Sequence, residues 1–192
     1  MTRTDIINAL IEKYDLKSYL EIGVREGENI KAVKCGIKHS VDPNFKATYN
    51  MTSNAFFKTK IYRYYDLIFV DGLHTEEQVY LDIVNSLGYL EKNGFVVVHD
   101  CNPATEWHTR SVEEYNRDGG EWNGTSYKAF IRIKAKLKDF TCFVVDADYG
   151  CGIITQRPML ENKISGYWEY FNTHRKELLQ LKSVAGFEKL LK

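Results

Sequence analysis

The chain has 192 residues, 44% of them hydrophobic, and its 26 basic side chains balance 26 acidic ones. That length fits one domain with a substantial core and argues against wholesale disorder, while the zero balance gives no support for broad binding to nucleic acid or a membrane surface. Cys35, Cys101, Cys142 and Cys151 are scattered without a CxxC pair, against a zinc ribbon or thioredoxin-like motif. There is no charged-then-apolar leader and no run of 18 apolar residues. A cytoplasmic protein with reduced thiols is therefore expected.

Residues 1–16 read as a leading helix, with Ile6, Ile7, Leu10 and Ile11 at helical spacing and Thr4 or Asp5 as its cap. A short strand follows at 19–23, then a turn marked by Gly23 and Gly27, then a helix from Glu28 to Cys35 stopped by Gly36. A second strand, 38–42, closes on Asp42-Pro43, where proline disfavours a helical Asp42. Residues 48–51 suggest a short third strand, and Ser53 a cap for a helix to Lys60. YDLIFVDG (65–72) reads as a buried strand. Thr75 with Gln78 fits a capping box for a helix whose stripe is Val79, Ile83, Leu87 and Leu90. GFVVVHD (94–100) is another buried strand, so the pair forms a right-handed crossover unit. The long polar, aromatic segment 101–124 has the character of a lid or binding loop.

Over 125–138 the alternation of Ile131–Lys138 suits a strand and Phe130, Ile133 and Leu137 suit a helix; position after a parallel strand favours the helix, with Lys128, Arg132, Lys134, Lys136 and Lys138 as a solvated basic face. Strands near 140–146 and 150–155 make an antiparallel hairpin, and residues 165–192 are helical. The pattern is α/β: one domain over 1–192, with a leading helix (1–17), a core (18–156) and C-terminal helices (157–192).

Four of the apolar runs arrive at a carboxylate: Glu21, Asp42, Asp71 and Asp100. In an open parallel sheet, ligands bind outside the carboxyl ends of the strands where strand order reverses. Neighbouring parallel strands would bring these acids together, as a site for a hydroxyl-rich ligand, a cation, or both.

YLEIGVREG (19–27) resembles the first motif of class I S-adenosylmethionine-dependent methyltransferases, E/D-x-G-x-x-x-G, with Glu21, Gly23 and Gly27 in its places. YDLIFVDGLHTEEQVYLDI (65–83), GFVVVHDCNP (94–103), WNGTSYKAF (122–130) and VVDADYGCGII (144–154) together resemble the small O-methyltransferases of sugar and natural-product biosynthesis, including the macrolide-sugar enzymes. The resemblance covers roughly residues 18–156. It implies a Rossmann-like, doubly wound, mostly parallel seven-stranded sheet with an antiparallel C-terminal hairpin strand and helices on both faces. It implies S-adenosylmethionine as cofactor and methyl transfer to a hydroxyl of a small molecule or sugar.

Within that resemblance, Gly23 and Gly27 let backbone approach the methionyl part, Glu21 takes its ammonium, Asp42 holds both ribose hydroxyls, and Asp71 borders the cofactor. Asp71 and Asp100 match positions that bind a divalent ion (magnesium, calcium or manganese) in metal-dependent relatives. The third ligand there is an acid or amide beside the second aspartate. Here the neighbours are His99 and Cys101, which leaves Asn102 as the candidate and the metal requirement open. The alternative is that Asp71 and Asp100 only organise their loops. His74 matches the general base of the macrolide-sugar enzymes, an ordinary histidine pKa near 6.5 suits the task, and His99 competes for the role.

Trp107, Trp122, Tyr127 and Tyr149 are candidate walls of the acceptor pocket, while Lys128 and Asp148 lie in the matching segments without a legible role. Rival readings are a cofactor-assisted hydroxylase, a nicotinamide-dependent oxidoreductase (disfavoured because the spacing is not G-x-G-x-x-G), or a non-catalytic binding or scaffold protein. The partner expected is a small molecule or sugar, with neither nucleic acid nor membrane; the C-terminal helices could pack on a second copy.

Overall fold

In the computed structural model, which describes residues 1–59, 63–156 and 168–191, helices and strands alternate along most of the chain. The order is α1 (Arg3–Tyr14), β1 (Ser18–Ile22), α2 (Glu28–Ala32), β2 (Ile37–Val41), α3 (Ser53–Lys58), β3 (Tyr65–Val70), α4 (Glu76–Gly88) and β4 (Leu90–Val98). A 3₁₀ turn (Glu106–Thr109), α5 (Val112–Asp118), α6 (Ser126–Lys134), β5 (Thr141–Val145), β6 (Cys151–Thr155), α7 (Trp168–Leu179) and α8 (Val184–Leu190) complete it. The parts of the expected 53–60 and 165–192 helices at residue 60, residues 165–167 and residue 192 lie outside the described residues.

The strands form one sheet in the order β2-β1-β3-β4-β6-β5. β2, β1, β3 and β4 are parallel neighbours, and β6 runs antiparallel to both β4 and β5. The apolar runs are continuous because both faces are covered. Along β4, Phe95 and Val97 face Ile6, Ile7, Leu10 and Ile11 of α1, while Val96 and Val98 face Val79 and Ile83 of α4 and Phe130 of α6. β5 repeats the alternation, with Cys142 and Val144 on the second face and Phe143 and Val145 on the first. Each such side chain, fully buried, contributes about 1.5–3 kcal/mol of transfer free energy.

Several expectations are corrected. The described residues hold six strands rather than seven: Tyr49 makes one parallel bridge to Val41, then the chain turns at Met51 and Thr52 caps α3 through Ala55 N. Thr52 therefore replaces Ser53 as the cap. Thr2, with Asp5 three residues on, forms the capping box of α1, which frees Thr4 to reach Asn29. α2 stops at Ala32 because Val33 is extended and buried.

Thr75 and Gln78 make no capping box. Gln78 donates instead to Ser53, Asn54 and Asp82, and the first turn of α4 is served from a distance, with Glu76 N donating to Thr125 Oγ1 at 2.7 Å. Segment 101–124 contains the 3₁₀ turn and α5. Lys134 leaves the solvated basic face: it is 3% exposed and donates to Leu178 O at 2.9 Å, completing the carbonyl end of α7.

Gly23 fixes the approach of two loops. Its φ is +85°, and a Cβ there would lie 2.2 Å from the Asp71 carbonyl oxygen and 2.6 Å from Gly72 Cα. Gly23→Ala is expected to destabilise the fold by at least about 1–3 kcal/mol from backbone conformation alone. A melting temperature within a degree of wild type would contradict this packing.

Candidate active site

β1 is flanked by β2 on one side and β3 on the other, so chain order reverses there. Ladder bonds run one step past the strand ends: Gly23 N to Val41 O (2.9 Å), Asp71 N to Ile22 O (2.8 Å) and His99 N to Val70 O (3.0 Å). They hold the four loops side by side. Glu21 sits inside β1, Asp42 and Asp71 directly follow β2 and β3, and Asp100 lies two residues beyond β4. The convergence expected of these acids is present.

One half of the edge is built on Glu21 and Asp42. Glu21 is buried, and its Oε2 accepts from Tyr19 Oη (2.5 Å) and Asn29 Nδ2 (2.8 Å). Thr4 holds Asn29 through its Oδ1 at 2.7 Å, tying α1 to the site. Burial raises the Glu21 carboxyl to about 7, against the lowering effect of Tyr19 and Asn29.

Asp42 is also buried, yet burial is outweighed by backbone N–H donors, which hold its carboxyl below the ordinary range. Val24 N donates to Oδ2 at 2.8 Å, and Asn44 N and Phe45 N to Oδ1 at 2.8 and 3.0 Å. Arg25 N also reaches Oδ2, at 3.5 Å, the longest of the four bonds, so Oδ2 is the oxygen held less tightly. Gly27 starts α2 in a left-handed conformation, φ +73°.

The other half is a cluster of imidazoles and carboxylates. His74 Nδ1 lies 2.9 Å from Asp100 Oδ2 and its Nε2 3.4 Å from Asp71 Oδ1. His99 Nδ1 lies 3.2 Å from one oxygen of each aspartate. Asp148 and Arg3 complete the surroundings: His99 Nε2 is 3.6 Å from Asp148 Oδ1 and 2.9 Å from Arg3 Nη1, and Arg3 N donates to Asp148 Oδ2 at 2.7 Å. Burial disfavours the charged His74, but Asp100 and Asp71 overcome it and raise the imidazole to about 10. His99 is raised well above its ordinary value by Asp71 and Asp100, again against burial. Burial likewise opposes ionisation of Asp71 and Asp100, and His99 and His74 hold both far below the carboxylate range. The two histidines differ in access: the His74 side chain is 20% exposed and that of His99 4%.

Among the proposed walls, Trp122 stacks on His74 (5.3 Å, 11°) and Tyr115 stacks on Trp122 (4.7 Å, 9°). Tyr149 and Trp107 are exposed; Tyr149 donates to Glu121 at 2.7 Å and Arg110 lies 3.6 Å over the Trp107 ring. Tyr127 is not a wall: it is buried in the core against Phe171. Asn102 turns away, because its Nδ2 donates to Asp146 (2.9 Å) and its Oδ1 accepts from Arg175. Arg3 and Asn29 lie outside the matching segments, and Asn123 lies in WNGTSYKAF without an assigned role; tertiary packing brings all three to the site.

Residues 23–101 match the model of a family described as a methyltransferase domain. An O-methyltransferase from Bacillus cereus solved with S-adenosylhomocysteine is similar over 82% of both chains, with a TM-score of 0.58 and 13% identity. The chain has a methyltransferase fold. The O-methyltransferase TomG from Streptomyces achromogenes, solved with S-adenosylmethionine, shares it over 81% of this chain and 79% of its own (TM-score 0.57, 12% identity). MycE, solved with magnesium, S-adenosylhomocysteine and mycinamycin VI, shares it over 82% of this chain and 50% of its own (TM-score 0.50, 12% identity). No curated protein matches the sequence. No helix among the described residues is long and apolar enough to cross a membrane.

The residues present fit a divalent ion at this edge of the methyltransferase fold. Asp71 and Asp100 offer hard carboxylate oxygens, and one oxygen from each lies with a His74 ring nitrogen in a group whose atoms are all within 4.8 Å of one another; a buried carbonyl oxygen, Asn123 Oδ1, lacks a partner in the residue that contacts Asp100.

Proposed function

We propose that this chain transfers the methyl group of S-adenosylmethionine to a hydroxyl oxygen of a small molecule or sugar. The observation that carries the reading is the meeting of Glu21, Asp42, Asp71 and Asp100 beside a histidine, His74, held by two of them. Glu21 receives the ammonium of the cofactor, Asp42 Oδ2 accepts one ribose hydroxyl, and the Gly23 loop, pressed on Asp71, shapes the wall between the two halves. The acceptor oxygen attacks the methyl carbon in line, the carbon–sulfur bond breaks, and the hydroxyl proton passes to His74. His74 serves rather than His99 because it is the more exposed of the two. Holding the oxygen close and aligned can supply about 7–11 kcal/mol of the barrier. Asp71 and Asp100 would hold a divalent ion, which when bound supplies Lewis-acid activation of the hydroxyl.

The test is a titration with S-adenosylmethionine, followed by turnover on a panel of sugars and phenols read by mass spectrometry as S-adenosylhomocysteine and a methylated product. Absence of saturable cofactor binding would overturn the proposal. Exhaustive chelation is expected to lower turnover and leave cofactor affinity intact; full activity after it removes the ion from catalysis.

Cofactor affinity should depend on pH through Glu21. Its carboxyl, raised to about 7, is neutral at lower pH and cannot pair with the ammonium. Affinity therefore rises with pH through about 7 and falls again once the cofactor's own amine, with an ordinary α-amino pKa of about 7.7–8.0, loses its proton. Glu21→Gln should show weak affinity without that step; an identical pH profile in the variant would remove the assignment.

A further inference from the structure

Asn123 is a buried polar side chain at the site that the mechanism leaves unused. The residue is 2% exposed. Its Nδ2 donates to Asp100 Oδ1 at 2.6 Å, and its Oδ1 has no hydrogen-bond partner. The orientation follows from chemistry: an ionised carboxylate only accepts, so the amide nitrogen faces Asp100 and the carbonyl oxygen is left over. An unpaired buried acceptor carries a desolvation cost, and native structures keep few of them.

The position is enforced by its neighbours. Asn123 N and Gly124 N both donate to His108 O at 3.0 Å, and Thr125 N donates to His74 O at 2.7 Å. Gly124 has φ +59°, and a Cβ there would lie 2.1 Å from His74 O. Residues 123–125 are thus clamped on the turn that carries Asp71 and His74.

We propose that Asn123 supplies the third oxygen ligand of a divalent cation held by Asp71 and Asp100, which rests on reading this edge as the acceptor site of a methyltransferase. The residues flanking Asp100 in sequence offer an imidazole (His99) and a thiol (Cys101), donors that hard cations disfavour. Asn102 has its oxygen on Arg175. Asn123 instead brings a neutral, hard carbonyl oxygen from a different loop, and two carboxylates with one amide oxygen form a donor set suited to magnesium or manganese.

The experiment titrates the full chain with manganese(II), reading free and bound ion by electron paramagnetic resonance. Wild type and Asn102→Ala are expected to bind with equal affinity. Asn123→Leu should bind at least tenfold more weakly, and Asn123→Asp at least as tightly as wild type, because it keeps a ligating oxygen. A side chain that only held Asp100 through its N–H would give the opposite result for Asn123→Asp, which sets carboxylate against carboxylate. Asn123→Asp as weak as Asn123→Leu, Asn123→Leu indistinguishable from wild type, or no manganese binding by wild type would each overturn the proposal. Asn123→Ser, too short to reach, replaces the leucine variant if thermal melting shows that it does not fold. S-adenosylmethionine affinity measured on the same samples separates the two readings: cofactor binding without manganese binding sinks this proposal alone, and its absence sinks the methyltransferase reading.

Discussion

His74→Gln lowers kcat by about 10²–10⁴-fold while cofactor affinity stays within about twofold, the loss expected for a general base that does not touch the cofactor. Glutamine keeps polar contacts with Asp71 and Asp100 but cannot take a proton at neutral pH. The same two carboxylates raise His74 to about 10, so its basic form is the minor one at neutrality. An ordinary histidine pKa near 6.5 would place the base form in the majority, and the structure shifts that balance. In wild type, kcat/KM therefore climbs with pH as His74 loses its proton, and a cation on Asp71 and Asp100, by offsetting their charge, moves that climb to lower pH. The variant loses this climb. A variant with wild-type turnover, or with the same rising limb, would move the base elsewhere, His99 first.

Asp42→Asn weakens S-adenosylmethionine binding by roughly 10- to 100-fold, since a hydrogen bond to a charged group contributes about 1.5–3 kcal/mol. Part of the effect is local. Val24 N now donates to Oδ2 at 2.8 Å, and an amide nitrogen in that place repels it. Thermal melting should consequently fall as well, and comparison with Asp42→Ala, which loses every acceptor, ranks the two contributions. Isothermal titration of both variants checks the assignment; cofactor affinity equal to wild type in either would remove Asp42 from the ribose site.

The strands and the acids at their ends were legible because both follow local rules. Continuous runs such as Phe95–Val98 are buried on both faces, and a strand that ends at a carboxylate places it at a defined edge. The leading helix and the terminal hairpin were legible for the same reason. Caps were less so. Thr75 and Gln78 have the right spacing, but Thr125, fifty residues away, serves the first turn of α4. The basic stripe at 128–138 reads as solvated, yet Lys134 points inward, because the α7 carbonyl it meets is invisible to helical periodicity.

The site divides along the same line. The sequence alone determined which residue types arrive at the carboxyl edge: Glu21, Asp42, Asp71 and Asp100 from strand ends, and His74 three positions past one of them. Only the tertiary structure decided how they are used. It brings Arg3 from the first turn of α1 to His99 and Asp148, turns Asn102 onto Arg175, and sets Trp122 and Asn123 against His74 and Asp100. The physical reason is range. Strand ends and helix stripes are dictated by neighbours a few residues apart, whereas a hydrogen bond or ring stack across 23 to 145 positions depends on how whole layers pack.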